Sequence, residues 1–307
     1  MLAGYKKIVI LGSGAWGRAL GKLFCYNCPE VYSWSRKSTT SLAETINNAD
    51  ILVSAVSVSG LYPTLERLNT LDIPTRTLLV TATKGLDPIT TKTPSQIWQE
   101  YFPKHSIIVL SGPNLSKEIE QGLPAAAVVS SHNLEAARIV QKALSSELFR
   151  VYVNLDPLGT ELGGTLKNVM AIAAGVCDGL HLGTNAKAAL LTRALPEMIR
   201  VGSILGTKTE TFFGLSGLGD LLATCNSPLS RNYQVGYQLA QGYYLGEILA
   251  KLEGTAEGIN TTKVLMQIAK QQNLDLPISN EVYRLLSGEI TPQESVKLIM
   301  ERDLKSE

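Results

Sequence analysis

KIVILGSGAWGRALGKLF, Lys7 to Phe24, is the stretch on which the fold turns. Its apolar run Ile8 to Leu11 has the length of a buried strand, and Gly12, Gly14 and Gly17 follow at the G-x-G-x-x-G spacing before a helical pattern begins. The three glycines serve separate ends. Gly12 makes the tight turn, Gly14 lets the backbone approach a pyrophosphate, and Gly17 lets the helix pack close to the strand. Free N–H groups and the positive end of the helix dipole favour a phosphate at that point. The spacing alone also fits an ordinary glycine-rich turn. Its position decides, because it directly follows the first strand and a second strand candidate, Val31 to Ser35, arrives one helix length later. The reading is a dinucleotide-binding unit.

The chain has 307 residues, which is long for one compact core and predicts two domains. With 45% hydrophobic residues, a net charge of +1 and scattered lysines and arginines, it suits a soluble enzyme with no nucleic-acid or membrane partner. No segment approaches the ~20 apolar residues that span a bilayer, and the first strand starts too early for a signal peptide, so the expected location is the cytoplasm. Cys25 and Cys28 have C-x-x-C spacing, but no second pair or nearby histidine completes a metal site. They read as small core cysteines at the end of the first helix, and no metal is expected.

Strand candidates recur at Asp50 to Ser57, Thr77 to Thr81, Ile107 to Leu110, Ala125 to Ser130 and Phe149 to Val153. With helical stretches between most of them, they predict an α/β domain, 1–155, built on a mostly parallel, doubly covered sheet. The link Ser38 to Ala49 leaves room only for a small crossover helix. Arg36 and Lys37 end the second strand where an NAD-selective site usually places an acid; a cation there accommodates a 2′-phosphate and predicts acceptance of NADPH. Lys84, in ATKGL, and Gly112 to Asn114, in SGPN, follow strands directly and so face the cleft beyond their carboxyl ends.

From Asp156 to the C-terminus, residues 156–307, the pattern is helical. Candidate helices are Pro157 to Leu180, Ala186 to Leu205, Asp220 to Cys225, Arg231 to Gln241, Thr261 to Gln272, Asn280 to Leu286 and Pro292 to Lys305. Pro196 is expected to kink or restart the second of these. In the first, helical steps from Lys167 meet Gly163, Gly164, Ala171, Ala174 and Gly175, a face stripped of bulk that another backbone or a substrate must approach. A lysine on an apolar helix is costly to bury unless paired or neutralised, and desolvation lowers its pKa toward the range useful for proton transfer. Lys167 is therefore the acid/base candidate. Downstream, Gly214, Gly217 and Gly219 lead into the carboxylate of Asp220. Ser230 then reads as an N-cap, followed by Arg231 and Asn232 in a first helical turn, a combination that suits a phosphate group.

Through GSGAWG, ATKGL, SGP, GGTLKN, GLGDLLATC, SRN and AEG, in that order, the chain resembles the NAD(P)-dependent glycerol-3-phosphate dehydrogenases. The resemblance implies a Rossmann-like domain followed by an all-α domain of the 6-phosphogluconate dehydrogenase type. It implies interconversion of dihydroxyacetone phosphate and sn-glycerol 3-phosphate with NAD(P)H, feeding phospholipid synthesis, and a homodimer. In the family pattern Lys167 is the catalytic acid/base, here with Asp220 as its charge partner. Lys84, Gly112, Asn114, Asp220, Thr224, Ser230, Arg231 and Asn232 match substrate positions. Ala15, Trp16, Arg36, Lys84, Ser116, Arg231 and Glu257 match cofactor positions beside Gly12, Gly14 and Gly17. The link from Arg36 to Asp50 is shorter than the bacterial pattern, near the adenosine end of the cofactor. Two rivals remain on sequence alone: a reductase of another small hydroxy acid on the same fold, and a cofactor-binding redox sensor without turnover.

Overall fold

The computed structural model describes residues 5–304; the last helix ends at Met300, five residues before the expected Lys305, where Glu301 leaves the helix, and the outer limits of the two expected domains lie outside the described residues. Seven strands form one sheet: β1 (Lys7–Leu11), β2 (Glu30–Trp34), β3 (Ile51–Ser54), β4 (Leu78–Thr81), β5 (Ile107–Ser111), β6 (Ala125–Ser130) and β7 (Phe149–Asn154). Their order across the sheet is β2-β1-β3-β4-β5-β6-β7, and every neighbouring pair is parallel except β5 and β6. All seven lie on the stretches predicted as strands.

The connecting helices are α1 (Ala15–Phe24), α2 (Leu42–Ile46), α3 (Val58–Asn69), α4 (Pro94–Tyr101), α5 (Ser116–Glu120) and α6 (Leu134–Leu144). Successive strand residues point to opposite faces. Ile8, Ile10, Val53 and Val80 accordingly pack with Leu20, Phe24 and Val140, whereas Val9, Leu11, Leu52 and Leu79 pack with Leu61, Leu65 and Trp98. Both faces are thus covered. The small crossover helix is α2, started by a capping box in which Ser41 and Glu44 satisfy each other's backbone N–H groups.

The remaining chain is helical: α7 (Pro157–Gly179), α8 (Gly183–Ile204), α9 (Thr209–Phe212), α10 (Asp220–Cys225), α11 (Arg231–Ala240), α12 (Leu245–Lys251), α13 (Glu257–Gln272), α14 (Pro277–Leu286) and α15 (Pro292–Met300). The glycine-rich stretch Leu215–Gly219 before α10 is a π-helical turn. At the centre lies α7, buried on nearly every side, its few polar side chains included.

Its small residues let other backbones in. A Cβ on Gly163 would stand 2.7 Å from the Ser216 carbonyl oxygen, and one on Gly175 would stand 2.1 Å from that of Tyr233. From the other side, a Cβ on Gly236 of α11 would meet the Ile172 carbonyl oxygen at 1.9 Å.

Two expectations are corrected. Cys28 is buried but Cys25 is exposed, because the first helix ends before it and turns its side chain to water. Helix α8 runs unbroken through Pro196, which excludes the restart. The residue a turn earlier, Thr192, is exposed, so the carbonyl that the proline ring deprives of a partner lies on the solvent side.

Candidate functional site

The carboxyl ends of β4 and β5 meet the N-terminal half of α7 and the start of α10, and β1 and β3 end in the same sheet beside them. At β1, Gly12 has a φ of +117°, and a Cβ there would lie 2.7 Å from the Ala55 carbonyl oxygen. Gly17 is equally committed, since its Cβ would fall 2.0 Å from the Gly12 carbonyl oxygen. Gly14 begins α1 with no side-chain cap and no acid in the first turn, and nothing stands within 4 Å of the place its Cβ would occupy. The start of α1 is therefore open, beside Ala15 and a buried, unpartnered Trp16 Nε1. A pyrophosphate fits such a cradle.

Lys84 follows β4. Its Nζ lies 2.6 Å from Asp220 Oδ2 and 3.1 Å from the Gly112 carbonyl oxygen, to both of which it donates. Lys167 Nζ donates to Asp220 Oδ1 at 2.7 Å and to Thr224 Oγ1 at 2.5 Å. The Thr224 hydroxyl in turn donates to Asp220 Oδ1 at 3.1 Å, one helical turn along α10. One carboxylate, only 1% exposed, thus holds two ammonium groups. The centre carries one surplus positive charge, which an anion or a developing oxyanion would neutralise. Burial lowers the Lys167 pKa to about 8; the neighbouring Lys84 adds to the fall and Asp220 opposes it.

Two buried acceptors near this centre have no partner: Ser111 Oγ and Asn114 Oδ1. A Cβ on Gly164 would sit 2.3 Å from Ser111 Oγ, so the bare face of α7 makes room for this hydroxyl as well as for Lys84. Sequence reasoning missed Ser111, although it stands immediately before Gly112 in SGPN. The Asn114 amide donates to the Ala126 carbonyl at 3.0 Å, holding the loop after β5.

A second group gathers at the start of α11. Ser230 caps it, accepting from the Tyr233 N–H at 3.2 Å. Arg231 is exposed and lies against Gly254, whose absent Cβ would be 2.3 Å from its guanidinium. Asn232 is buried; it donates to Asn168 Oδ1 at 2.9 Å and accepts from the Gly258 N–H at 2.9 Å, tying α7 to α13. One amide hydrogen remains for a ligand. Glu257, first in α13, accepts from the Val58 N–H at 3.3 Å and so reaches the start of α3; burial raises its pKa, against the pull of that N–H and of Arg231.

The structure therefore brings Lys84, Gly112, Lys167, Asp220 and Thr224 into direct contact, with Asn114 beside Gly112 and the Arg231–Glu257 group at the start of α11 and α13. Arg36 is exposed beyond β2, an edge strand, and Ser116 opens α5 half-buried.

Residues 7–41 and 37–137 match the N-terminal part of NAD-dependent glycerol-3-phosphate dehydrogenase, and residues 156–297 match the C-terminal part. The chain belongs to this family. A glycerol-3-phosphate dehydrogenase (NAD(P)+) of Trichormus variabilis is 62% identical over 98% of each chain. One of Gloeobacter violaceus is 48% identical, covering 98% of this chain and 99% of its own. In structure, the chain is similar to glycerol-3-phosphate dehydrogenase of Coxiella burnetii, with a TM-score of 0.92 and 31% identity over 97% of this chain and 99% of that one. The two N-terminal family matches meet at 37–41, inside the short link after Arg36. No helix among the described residues is long and apolar enough to cross a membrane.

Proposed function

We propose that this chain interconverts dihydroxyacetone phosphate and sn-glycerol 3-phosphate with NADH or NADPH, supplying glycerol 3-phosphate for phospholipid synthesis. The observation that carries the reading is the buried Lys167–Asp220–Lys84 centre, in a chain that also carries the open start of α1 and the Ser230–Arg231 cap of α11.

Residues 1–155 act as the dinucleotide unit and 156–307 as the substrate unit. Gly12, Gly14, Ala15, Trp16 and Gly17 would hold the pyrophosphate, Arg36 the adenosine end, and Lys84, Ser116, Arg231 and Glu257 the rest of the cofactor. When bound, the nicotinamide supplies or accepts the hydride.

Lys167 Nζ gives a proton to the ketone oxygen in reduction and takes it back from the hydroxyl in oxidation. Asp220 aims Lys167 from one carboxylate oxygen and Lys84 from the other, so both cations face the oxygen on which negative charge grows. Ser230, Arg231 and the free amide hydrogen of Asn232 receive the substrate phosphate at the start of α11. Gly112, Asn114 and Thr224 line the carbon chain. A cytoplasmic homodimer rests on the family resemblance.

Consumption of NADH and NADPH with dihydroxyacetone phosphate, against unphosphorylated dihydroxyacetone and a set of 2-keto acids, tests this reading. Turnover confined to the phosphorylated ketone supports it; turnover only with a keto acid would transfer the chain to hydroxy-acid chemistry.

The pH dependence follows from Lys167. Reduction needs the ammonium, so its kcat/KM should hold below about pH 8 and fall as pH rises through it. Oxidation needs the neutral amine and should rise over the same interval. Rate profiles in both directions check the opposite signs; parallel profiles would remove Lys167 from the proton transfer.

Arg36→Glu should weaken NADPH use by about 10- to 100-fold, the scale of a lost charge-assisted hydrogen bond, and leave NADH use within a few-fold. The ratio of kcat/KM for the two cofactors measures it. Equal losses with both would show that Arg36 does not read the 2′-phosphate.

A further inference from the structure

Glu161 stands on α7, well before Lys167, and is 2% exposed. Its carboxylate accepts from the Ser95 N–H at 2.9 Å and from Ser95 Oγ at 2.5 Å, in the first turn of α4. Burial raises its pKa to about 7 against the pull of Ser95 and Thr93, so the acid is costly where it stands. Nothing in the proposed chemistry uses it.

The chain between β4 and α4 carries Lys84, and α7 holds this loop at both ends. Near Lys84, the Gly85 N–H donates to Thr165 Oγ1 at 3.1 Å; at the far end Ser95 meets Glu161, one helical turn earlier on α7. Between them the loop closes on itself, with the Asp87 N–H donating to the Lys92 carbonyl at 2.9 Å and the Thr91 N–H to that of Asp87 at 3.0 Å. The closure leaves Lys84 and Ser95 each only a few residues from one clamp. Asn260 adds one more tie, donating to the Leu86 carbonyl at 2.8 Å. A cavity of about 160 Å³ lies beside the segment, lined by Leu86, Thr93, Gln96 and Leu158 among others, while Leu86 itself is buried in the helical core.

We infer that Glu161 is a positioning residue that, through Ser95 and the Asp87–Lys92 clamp, sets where Lys84 meets Asp220. The inference rests on the proposed function for its kinetic consequence but not for its structural one.

The full chain is compared as wild type, Glu161→Gln, Glu161→Ala and Ser95→Ala. Hydrogen–deuterium exchange over residues 83–96 is measured without ligands, and steady-state rates with dihydroxyacetone phosphate and NADH. In Glu161→Ala the segment should exchange faster while β1 and α13 stay unchanged, and kcat should fall by ~10- to 100-fold, the scale of an ångström-sized misplacement, with KM within a few-fold. Ser95→Ala, which keeps the N–H tie and fills no new space, should show the same pattern more weakly. Glu161→Gln can still accept from the Ser95 N–H and donate to its hydroxyl, so it should restore most of kcat.

The pH limb separates positioning from a general loss of stability. Lys167 faces Asp220 and Cys225 from α10 and Lys84 from the loop. If Lys84 retreats, its repulsion weakens and the limb of reduction moves to higher pH, which a lower folded fraction does not produce. Unchanged exchange and an unchanged kcat in Glu161→Ala and Ser95→Ala would overturn the inference. Absence of turnover by the wild type would count against the proposed function instead, and exchange would still decide the role of Glu161.

Discussion

Replacing Lys167 by alanine is expected to lower kcat in both directions by about 10²- to 10⁴-fold, the usual contribution of a positioned acid/base. The chain should remain folded. Asp220 keeps Lys84 at 2.6 Å as a counterion, so no buried charge is orphaned. The lost side chain lies on a face of α7 already built from Gly163, Gly164 and Ala171. KM for dihydroxyacetone phosphate should change much less than kcat, because the phosphate is assigned to the start of α11 and not to this lysine. Steady-state kinetics beside circular dichroism check both halves. A variant with near wild-type kcat would end the assignment of Lys167 as acid/base, and one that does not fold would show that its ion pair has a structural role instead.

Asp220→Ala should be harmful in a different way. It leaves two ammonium groups, with side chains only 8% and 20% exposed, facing each other without the carboxylate that bridges them. Removing one partner of a buried pair typically costs about 3–5 kcal/mol, or a fall in Tm on the order of 10 °C for a domain of this size. The pH behaviour carries a sign. Asp220 raises the Lys167 pKa, so without it the amine should titrate below about 8, and the limb of reduction should move to lower pH. This is opposite to the shift expected from Glu161→Ala. Asp220→Asn keeps an acceptor for Lys167 while losing the charge, so it should show the same pH displacement with a smaller fall in Tm. Thermal unfolding and rate profiles of the two variants measure this. A Tm unchanged in Asp220→Ala would mean that water reaches the lysines and that the centre is less closed than its burial implies.

Local order carries much of this molecule. The apolar runs predict every strand, because a short β-branched stretch between turn residues has few other ways to bury itself. The spacing of Gly12, Gly14 and Gly17 locates the opening of α1, where Gly17 packs on the nearby Gly12 carbonyl, although the partner of Gly12, the Ala55 carbonyl, comes from the end of another strand. The stripped face around Lys167 was visible as helical periodicity, and so was the need for something to approach it.

What fills that face was not visible, because contacts between distant segments depend on how whole helices pack. Tertiary structure alone decided that the backbones of the π-helical turn and α11 lie on Gly163 and Gly175, and that Ser111 and Lys84 share the space beside Gly164. It alone paired Asn232 with Asn168 and Gly258, occupying most of an amide that the sequence assigns wholly to ligand. It also placed Glu161 on Ser95 and Glu257 on the start of α3, and left Cys25 in water. By itself the sequence determined the elements, the order of the motifs and the kinds of chemistry present. The packing of α7 among its neighbours decided which groups touch, because there residues far apart in the chain share one small, dry volume in which charge must be matched.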